Sequence, residues 1–144
     1  SFLYFFKEGE KILDEEYNIT KASNLSKYLF DIQNKENIKK RRIENAAFVY
    51  QMGTEKGLQF AFPYLSKDII PQHIPILVKN RDELRKYLFS KRIFLPVHWP
   101  KEDYNRQSIV AAKMQSQSLS IVIDQRYNIE DMQYLLNCIC EKKI

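Results

Sequence analysis

The sequence predicts an α+β fold in which helices pack on one face of a small, mostly antiparallel sheet. In the C-terminal half, short segments rich in β-branched and aromatic residues alternate with segments that have helical periodicity. The N-terminal third shows helical periodicity throughout. A chain of 144 residues that is 44% hydrophobic can bury one core of its own.

Three helices are predicted before residue 55. The first has an apolar side between Phe2 and Leu13 and ends at the polar stretch around Asn18 and Thr20, and the second begins near Ser23 or Asn24. The second helix carries apolar residues at i, i+3, i+4 and i+7, namely Leu25, Tyr28, Leu29 and Ile32. The third runs to a predicted stop at Gly53.

Four strands and two further helices are predicted after residue 55. The strands cover residues 56–63, 72–78, 93–99 and 118–123, and the helices cover 81–92 and 129–141. Pro75 places its strand at an edge or a bulge. Asn80 with Glu83, and Asn128 with Asp131, have the spacing of helix-capping pairs. The connection from 101 to 117 is long enough to hold a helical turn over 108–114.

Charge and hydropathy narrow the classes of partner. The net charge is +5, and the densest basic run is Lys39 to Arg42. This run wraps around a helix instead of forming one stripe, and no nucleic-acid-binding motif accompanies it, so a solvated helix surface is favoured over a nucleic-acid site. No apolar run reaches the roughly 20 residues of a membrane span, and the N-terminal FLYFF lacks the features of a secretory signal. We expect a cytoplasmic protein that binds neither nucleic acid nor membrane.

The two cysteines, Cys138 and Cys140, lie two residues apart in a predicted helix. They point to different faces of that helix, so we expect two reduced thiols and no disulfide. With only His73 and His98 as further ligands of this kind, no metal site is predicted, and His73 is interpreted as a surface or strand-end residue.

The segment 80–100 is the most informative for function, because a predicted helix leads into a strand that ends at His98, Trp99 and Pro100. An imidazole and an indole at a strand end are well placed to reach a ligand or a partner. The alternative is that His98 caps its strand by hydrogen bonding and Trp99 fills the core.

Two blocks resemble a known family. The first block is the RDEL helix followed by the triplet His98-Trp99-Pro100, and the second is the later stretch LSIVIDQRYN before an acidic helix start. Both resemble the C-terminal small domain of DegT/DnrJ-type aminotransferases, which are fold-type I enzymes dependent on pyridoxal phosphate. Two positions depart from the family pattern: Arg92 stands where Gly is usual, and Val122 where Pro is usual.

The resemblance implies a division into linking helices (residues 1–55) from a missing large domain and an α+β small domain (residues 56–144). It implies that pyridoxal phosphate binds the full-length parent but not this fragment, which lacks the lysine context and phosphate loop of the family. The parent would be a homodimer that transfers an amino group from an amino acid to a keto-sugar or sugar-nucleotide precursor.

In such a parent, the small domain closes over the substrate. The resemblance implies substrate contact for His98, with Trp99 and Tyr104 as neighbours, and an anion-binding role for Arg126. For Arg126, an internal salt bridge with Asp124 or the acids of the following helix is the favoured alternative. The other reading of the whole chain is a free-standing, non-catalytic module that binds a partner protein through its aromatic N-terminus. Ser1 is not an initiator methionine, so we expect the chain to have been processed or cut from something longer.

Overall fold

The computed structural model describes residues 2–15, 21–66, 68–98 and 108–142. The chain divides into two compact units, Ser1–Gln33 and Asn34–Ile144. This division does not coincide with the predicted boundary after residue 55, which stays a prediction about the organisation of a parent protein. None of the helices in the described ranges is long and apolar enough to cross a membrane.

The first unit contains two helices, α1 (Phe2–Glu15) and α2 (Asn24–Asp31). Ser23 begins α2 as predicted, because its hydroxyl accepts a hydrogen bond from the N–H of Ser26. The predicted apolar stripe of α2 is present, and all four of its residues are exposed: Leu25, Tyr28, Leu29 and Ile32.

The second unit contains four helices and two strands: α3 (Lys35–Glu55), β1 (His73–Leu77), α4 (Arg81–Ser90), α5 (Ile109–Gln117), β2 (Ser118–Val122) and α6 (Ile129–Glu141). β1 and β2 pair antiparallel, with Ile74 opposite Ile121 and Ile76 opposite Leu119. These four side chains are buried, and they form one core with residues from α3, α4 and α6. The α+β fold class with a small antiparallel sheet is therefore confirmed.

Within the described residues, the strands predicted at 56–63 and 93–99 are not formed, although the backbone of each segment lies beside the sheet. Residues 59–61 contribute one bridge, Phe60 opposite Ile76, and the segment before His98 contributes one bond, from the N–H of Ser120 to the carbonyl of Pro96. Each outer edge meets a proline without an N–H: Pro75 faces the Phe60 segment, and Pro96 faces β2. The missing donors explain why neither ladder extends.

The helix ends correct two further predictions. Gly53 does not stop α3, which continues to Glu55, and Gly57 at φ 67° ends it. A Cβ on Gly53 would lie 2.6 Å from the Phe60 ring, so close packing accounts for this glycine. Asn80 is the N-cap of α4 as predicted, but its side chain makes no capping hydrogen bond, so the capping box predicted there is not formed. The capping pair of Asn128 and Asp131 is confirmed as a reciprocal capping box.

Candidate functional site

The candidate site lies on the face of the sheet opposite the core. Because side chains alternate along a strand, burial of Ile74 and Ile76 in the core turns His73 to the other face. On β2, Leu119 and Ile121 enter the core, and Ser120 turns to the same face as His73. Pairing of Pro75 with Ser120 makes His73 and Ser120 diagonal neighbours across the two strands.

His98 completes this polar cluster. Its Nδ1 lies 2.8 Å from the Ser120 hydroxyl oxygen, and its ring meets the ring of His73 edge to face, with the centroids 4.6 Å apart. Ser120 is only 2% exposed, whereas His98 is exposed and His73 is half-buried. A buried hydroxyl therefore holds an imidazole that solvent can reach.

Electrostatics around His73 favour its neutral form. Burial is the largest cause that lowers the pKa of His73, followed by the positive charge that His98 carries when protonated. Arg42 of α3 lowers the pKa of His73 further, and only Asp124 opposes these effects. A protonated His98 therefore disfavours protonation of His73.

The turn that follows β2 carries a second cluster, centred on an ion pair. The Nε of Arg126 donates to the carboxylate of buried Asp124 at 2.9 Å, and the Arg126 backbone N–H donates to the same group at 2.9 Å. These hydrogen bonds lower the pKa of Asp124 and raise that of Arg126. The internal salt bridge that the sequence favoured for Arg126 is present, and a role of Arg126 in holding a ligand stays a prediction.

Helix α3 fixes this turn from behind. Asn45 is fully buried, and its Nδ2 donates to three backbone carbonyls, those of Ile123, Asp124 and Tyr127, at 3.0 to 3.4 Å. One turn earlier in α3, Arg42 donates through Nε to the side chain of Gln125 at 2.9 Å. The position of the Asp124–Arg126 pair is therefore set by α3.

The structure brings some of the predicted site residues together and leaves others untested. His98 and Arg126 belong to clusters that are linked electrostatically, since His73 is influenced by both His98 and Asp124. Trp99 and Tyr104 lie outside the described residues. Sequence reasoning missed His73 as the neighbour of His98. The alternation in HIPIL places it on the polar face, but only the register with β2 shows what it meets.

Comparison with known proteins gives a likeness in fold. No family model matches the chain, and no curated protein matches it in sequence. Among solved structures, the chain is similar to 8-amino-7-oxononanoate synthase from Francisella tularensis, with a TM-score of 0.55 and 17% identity. The match covers 79% of this chain and only 30% of the synthase. The chain therefore shares its fold with part of this synthase.

The described residues do not fit pyridoxal phosphate itself. A lysine that forms an imine with the cofactor is activated by desolvation or by a neighbouring positive charge. Among the lysines whose side chains the structure describes, none is buried. The three glycines of the chain lie at 9, 53 and 57, so no glycine-rich loop is present to hold a phosphate.

Proposed function

We propose that this chain is the small domain of a pyridoxal-phosphate-dependent enzyme of the aminotransferase type, and that it closes over a substrate held by a larger domain. The observation that carries the proposal is the likeness in fold to part of such an enzyme, of which this chain spans 30%. The order of the two resembling sequence blocks is consistent with it. The cofactor and its lysine would belong to the large domain, and this chain would be inactive alone.

Within this proposal, His98 is the group that meets the substrate. It is the exposed member of the cluster on the sheet face opposite the core, and it is the first residue of the triplet that resembles the family pattern. Trp99 and Tyr104 would bound the substrate beside it. Arg126 remains partly available, since its side chain is 70% exposed despite its bond to Asp124. The finer assignment is a DegT/DnrJ-type cytoplasmic homodimer that aminates a keto-sugar or sugar-nucleotide precursor.

The decisive experiment reads the gene upstream of the codon for Ser1 and expresses the whole frame. Incubation with pyridoxal phosphate, reduction with borohydride and peptide mass spectrometry then locate the modified lysine. We expect the label on a lysine upstream of Ser1 and none within residues 1–144. A frame that begins near Ser1, or a specific label inside this chain, would overturn the proposal.

The role of His98 is tested in that longer protein. We expect His98→Gln to raise KM or lower kcat at least about tenfold, because one oriented hydrogen bond to a reacting group is worth about 1.4 kcal/mol or more. His73→Gln serves as the neighbouring control and should have a smaller effect. Unchanged kinetics in His98→Gln would remove His98 from the substrate site.

A second candidate function is favoured by the surface of the first unit. Large hydrophobic side chains are exposed on both of its helices, including Phe5 at 73% and Leu25 at 66%. Exposed apolar stripes of this kind mark protein interfaces. A non-catalytic module that binds a partner protein would use this surface, and it becomes the leading function if the reading frame begins near Ser1.

A further inference from the structure

We infer that Ser120 is a positioning residue for His98: its buried hydroxyl donates to Nδ1, fixes the neutral imidazole with its proton on Nε2, and so presents an N–H donor to a ligand oxygen. His73 supports the same ring from the side. This inference rests on the proposed function only for the ligand, since the arrangement of the three side chains is a property of this chain alone.

The direction of the hydrogen bond follows from burial. Within the described part of the chain, the hydroxyl of Ser120 has one hydrogen-bond partner, Nδ1 of His98 at 2.8 Å. Because Ser120 is only 2% exposed, its hydroxyl has little access to water and must donate its proton to a protein acceptor to avoid the cost of an unpaired donor. The lone pair on Nδ1 is that acceptor, so the ring proton of neutral His98 is on Nε2.

The ring of His73 restrains rotation of the His98 side chain. An edge-to-face contact with centroids 4.6 Å apart opposes rotation of His98 away from Ser120. The charged groups that influence His73 are His98 itself, Arg42 of α3 and Asp124 after β2. His98 when protonated and Arg42 both disfavour a charge on His73, and the one opposing carboxylate is already bound to Arg126, so the neutral form of His73 is favoured.

The chemistry that this arrangement offers is hydrogen-bond donation to oxygen. A neutral imidazole whose Nδ1 accepts from Ser120 can donate through Nε2 to a carbonyl, carboxylate or phosphoryl oxygen. It can take up a proton only at Nδ1, after the Ser120 hydroxyl no longer donates there. In a domain that closes over a substrate, such a donor orients the substrate while the imidazole is still uncharged. Because Ser120 fixes which ring nitrogen of His98 carries the proton, the tautomer of His98 directly reports the positioning role of Ser120.

The test uses the chain labelled with ¹⁵N-histidine. It contains two histidines, so a spectrum of His98→Gln assigns both. Above the titration of both rings, we expect His98 in the wild-type chain to be in the Nε2–H tautomer. A signal from the Nδ1–H tautomer, or from an even mixture, would overturn the inference without any variant.

Ser120→Ala and Ser118→Ala form a matched pair. Both serines lie on β2 two residues apart and therefore on the same face, but only Ser120 contacts His98. We expect Ser120→Ala to shift the His98 signals toward a tautomer mixture, and Ser118→Ala to leave them unchanged. Equal spectra for the two variants, with the fold confirmed by circular dichroism, would refute the positioning role.

The pairing of the rings has its own readout. His98→Phe keeps an aromatic ring against His73 but removes its charge, so the titration midpoint of His73 should rise. An unchanged or lower midpoint would show that the rings are not coupled. None of these measurements needs substrate or an upstream domain. A failed tautomer test and a failed proposed function are therefore separate results.

Discussion

Helices α3 and α4 end in the same backbone motif, with glycine at its left-handed position in one case and arginine in the other. After α4, the N–H of Ile93 donates to the carbonyl of Leu88, and the N–H of Arg92 donates to the carbonyl of Phe89. After α3, the N–H of Leu58 donates to the carbonyl of Gly53, and the N–H of Gly57 donates to the carbonyl of Thr54. Both ends are Schellman motifs, and both place one residue at positive φ, 60° for Arg92 and 67° for Gly57. The departure of Arg92 from the family pattern is therefore a glycine position occupied by arginine.

Arg92→Gly should stabilise the chain. An L-residue in the left-handed region costs about 1 kcal/mol, which glycine avoids, and the greater freedom of glycine in the unfolded chain returns part of this gain. We expect the free energy of unfolding to rise by about 0.5 kcal/mol in urea denaturation. Gly57→Arg is the reciprocal control and should lower it by about 1 kcal/mol. If Arg92→Gly destabilises, the arginine side chain contributes contacts that outweigh its backbone strain.

Asp124 ties stability to acid pH. Its hydrogen bonds from Arg126 hold the pKa of Asp124 in the folded chain below that of the unfolded chain. A carboxyl group with a lowered folded pKa contributes stability that is present above its unfolded pKa and is lost as pH falls through the folded pKa. We expect Asp124→Asn to lower the free energy of unfolding at pH 7 by about 1–3 kcal/mol, the cost of disrupting a buried charge-assisted network.

The same variant should flatten the acid limb of the stability curve, since less stability remains to be lost below about pH 4. The control is Glu130→Gln, which changes an exposed carboxyl group near the start of α6. Urea denaturation at several pH values between 3 and 7 makes the measurement. Equal pH dependence in Asp124→Asn and the wild-type chain would remove Asp124 from the acid response.

At the scale of elements, the helices were predicted more accurately than the sheet, for a physical reason. Helix α6 begins and ends where its periodicity and its capping box place it, because both signals are local in sequence. The flanking segments 59–61 and 95–97 have strand-like composition, but their pairing is limited by Pro75 and Pro96, which meet them only in the folded chain. Register is non-local, so the contact between His73 and His98 could not be predicted from either segment alone.

Helix α3 and the turn after β2 depend on Asn45. Replacing Asn45 with Ala leaves the carbonyls of Ile123, Asp124 and Tyr127 without their side-chain donor. We expect a loss of about 2–3 kcal/mol in the free energy of unfolding, since each unsatisfied buried group costs about 1 kcal/mol or more. Asn37→Ala changes an exposed asparagine of the same helix and should be close to neutral.

Asn45→Asp separates hydrogen bonding from size. The aspartate would place a carboxylate against three carbonyl oxygens and lose the donor, so it should destabilise the chain more than Asn45→Ala does, and more at pH 7 than at pH 4. An Asn45→Asp variant as stable as the wild-type chain would mean that another donor satisfies this turn.

At the scale of the whole molecule, the buried core cluster lies in the second unit, which also exposes large apolar side chains such as Phe94 and Ile109. The buried hydrophobic residues of the core cluster lie between Ala46 and Ile139, within the second unit. Where its side chains are described, the first unit has large apolar residues on its surface: Tyr4, Phe5, Ile12, Leu25, Tyr28, Leu29, Phe30 and Ile32. Stability and partner binding are therefore expected to separate on truncation.

Removing residues 1–33 should leave the second unit folded. Because the core residues remain, we expect the free energy of unfolding to change by less than about 1 kcal/mol, which is small against the 5–15 kcal/mol that is typical of a domain. Binding of a hydrophobic dye should fall severalfold, since the apolar stripe of α2 is lost with the first unit. Leu29→Lys in the full chain is the matched variant, because it interrupts the stripe without shortening the protein, and it should lower dye binding in the same direction. A truncated chain that no longer unfolds cooperatively would show that the first unit completes the core. In that case, its apolar residues would be structural and the partner-binding function would lose its support.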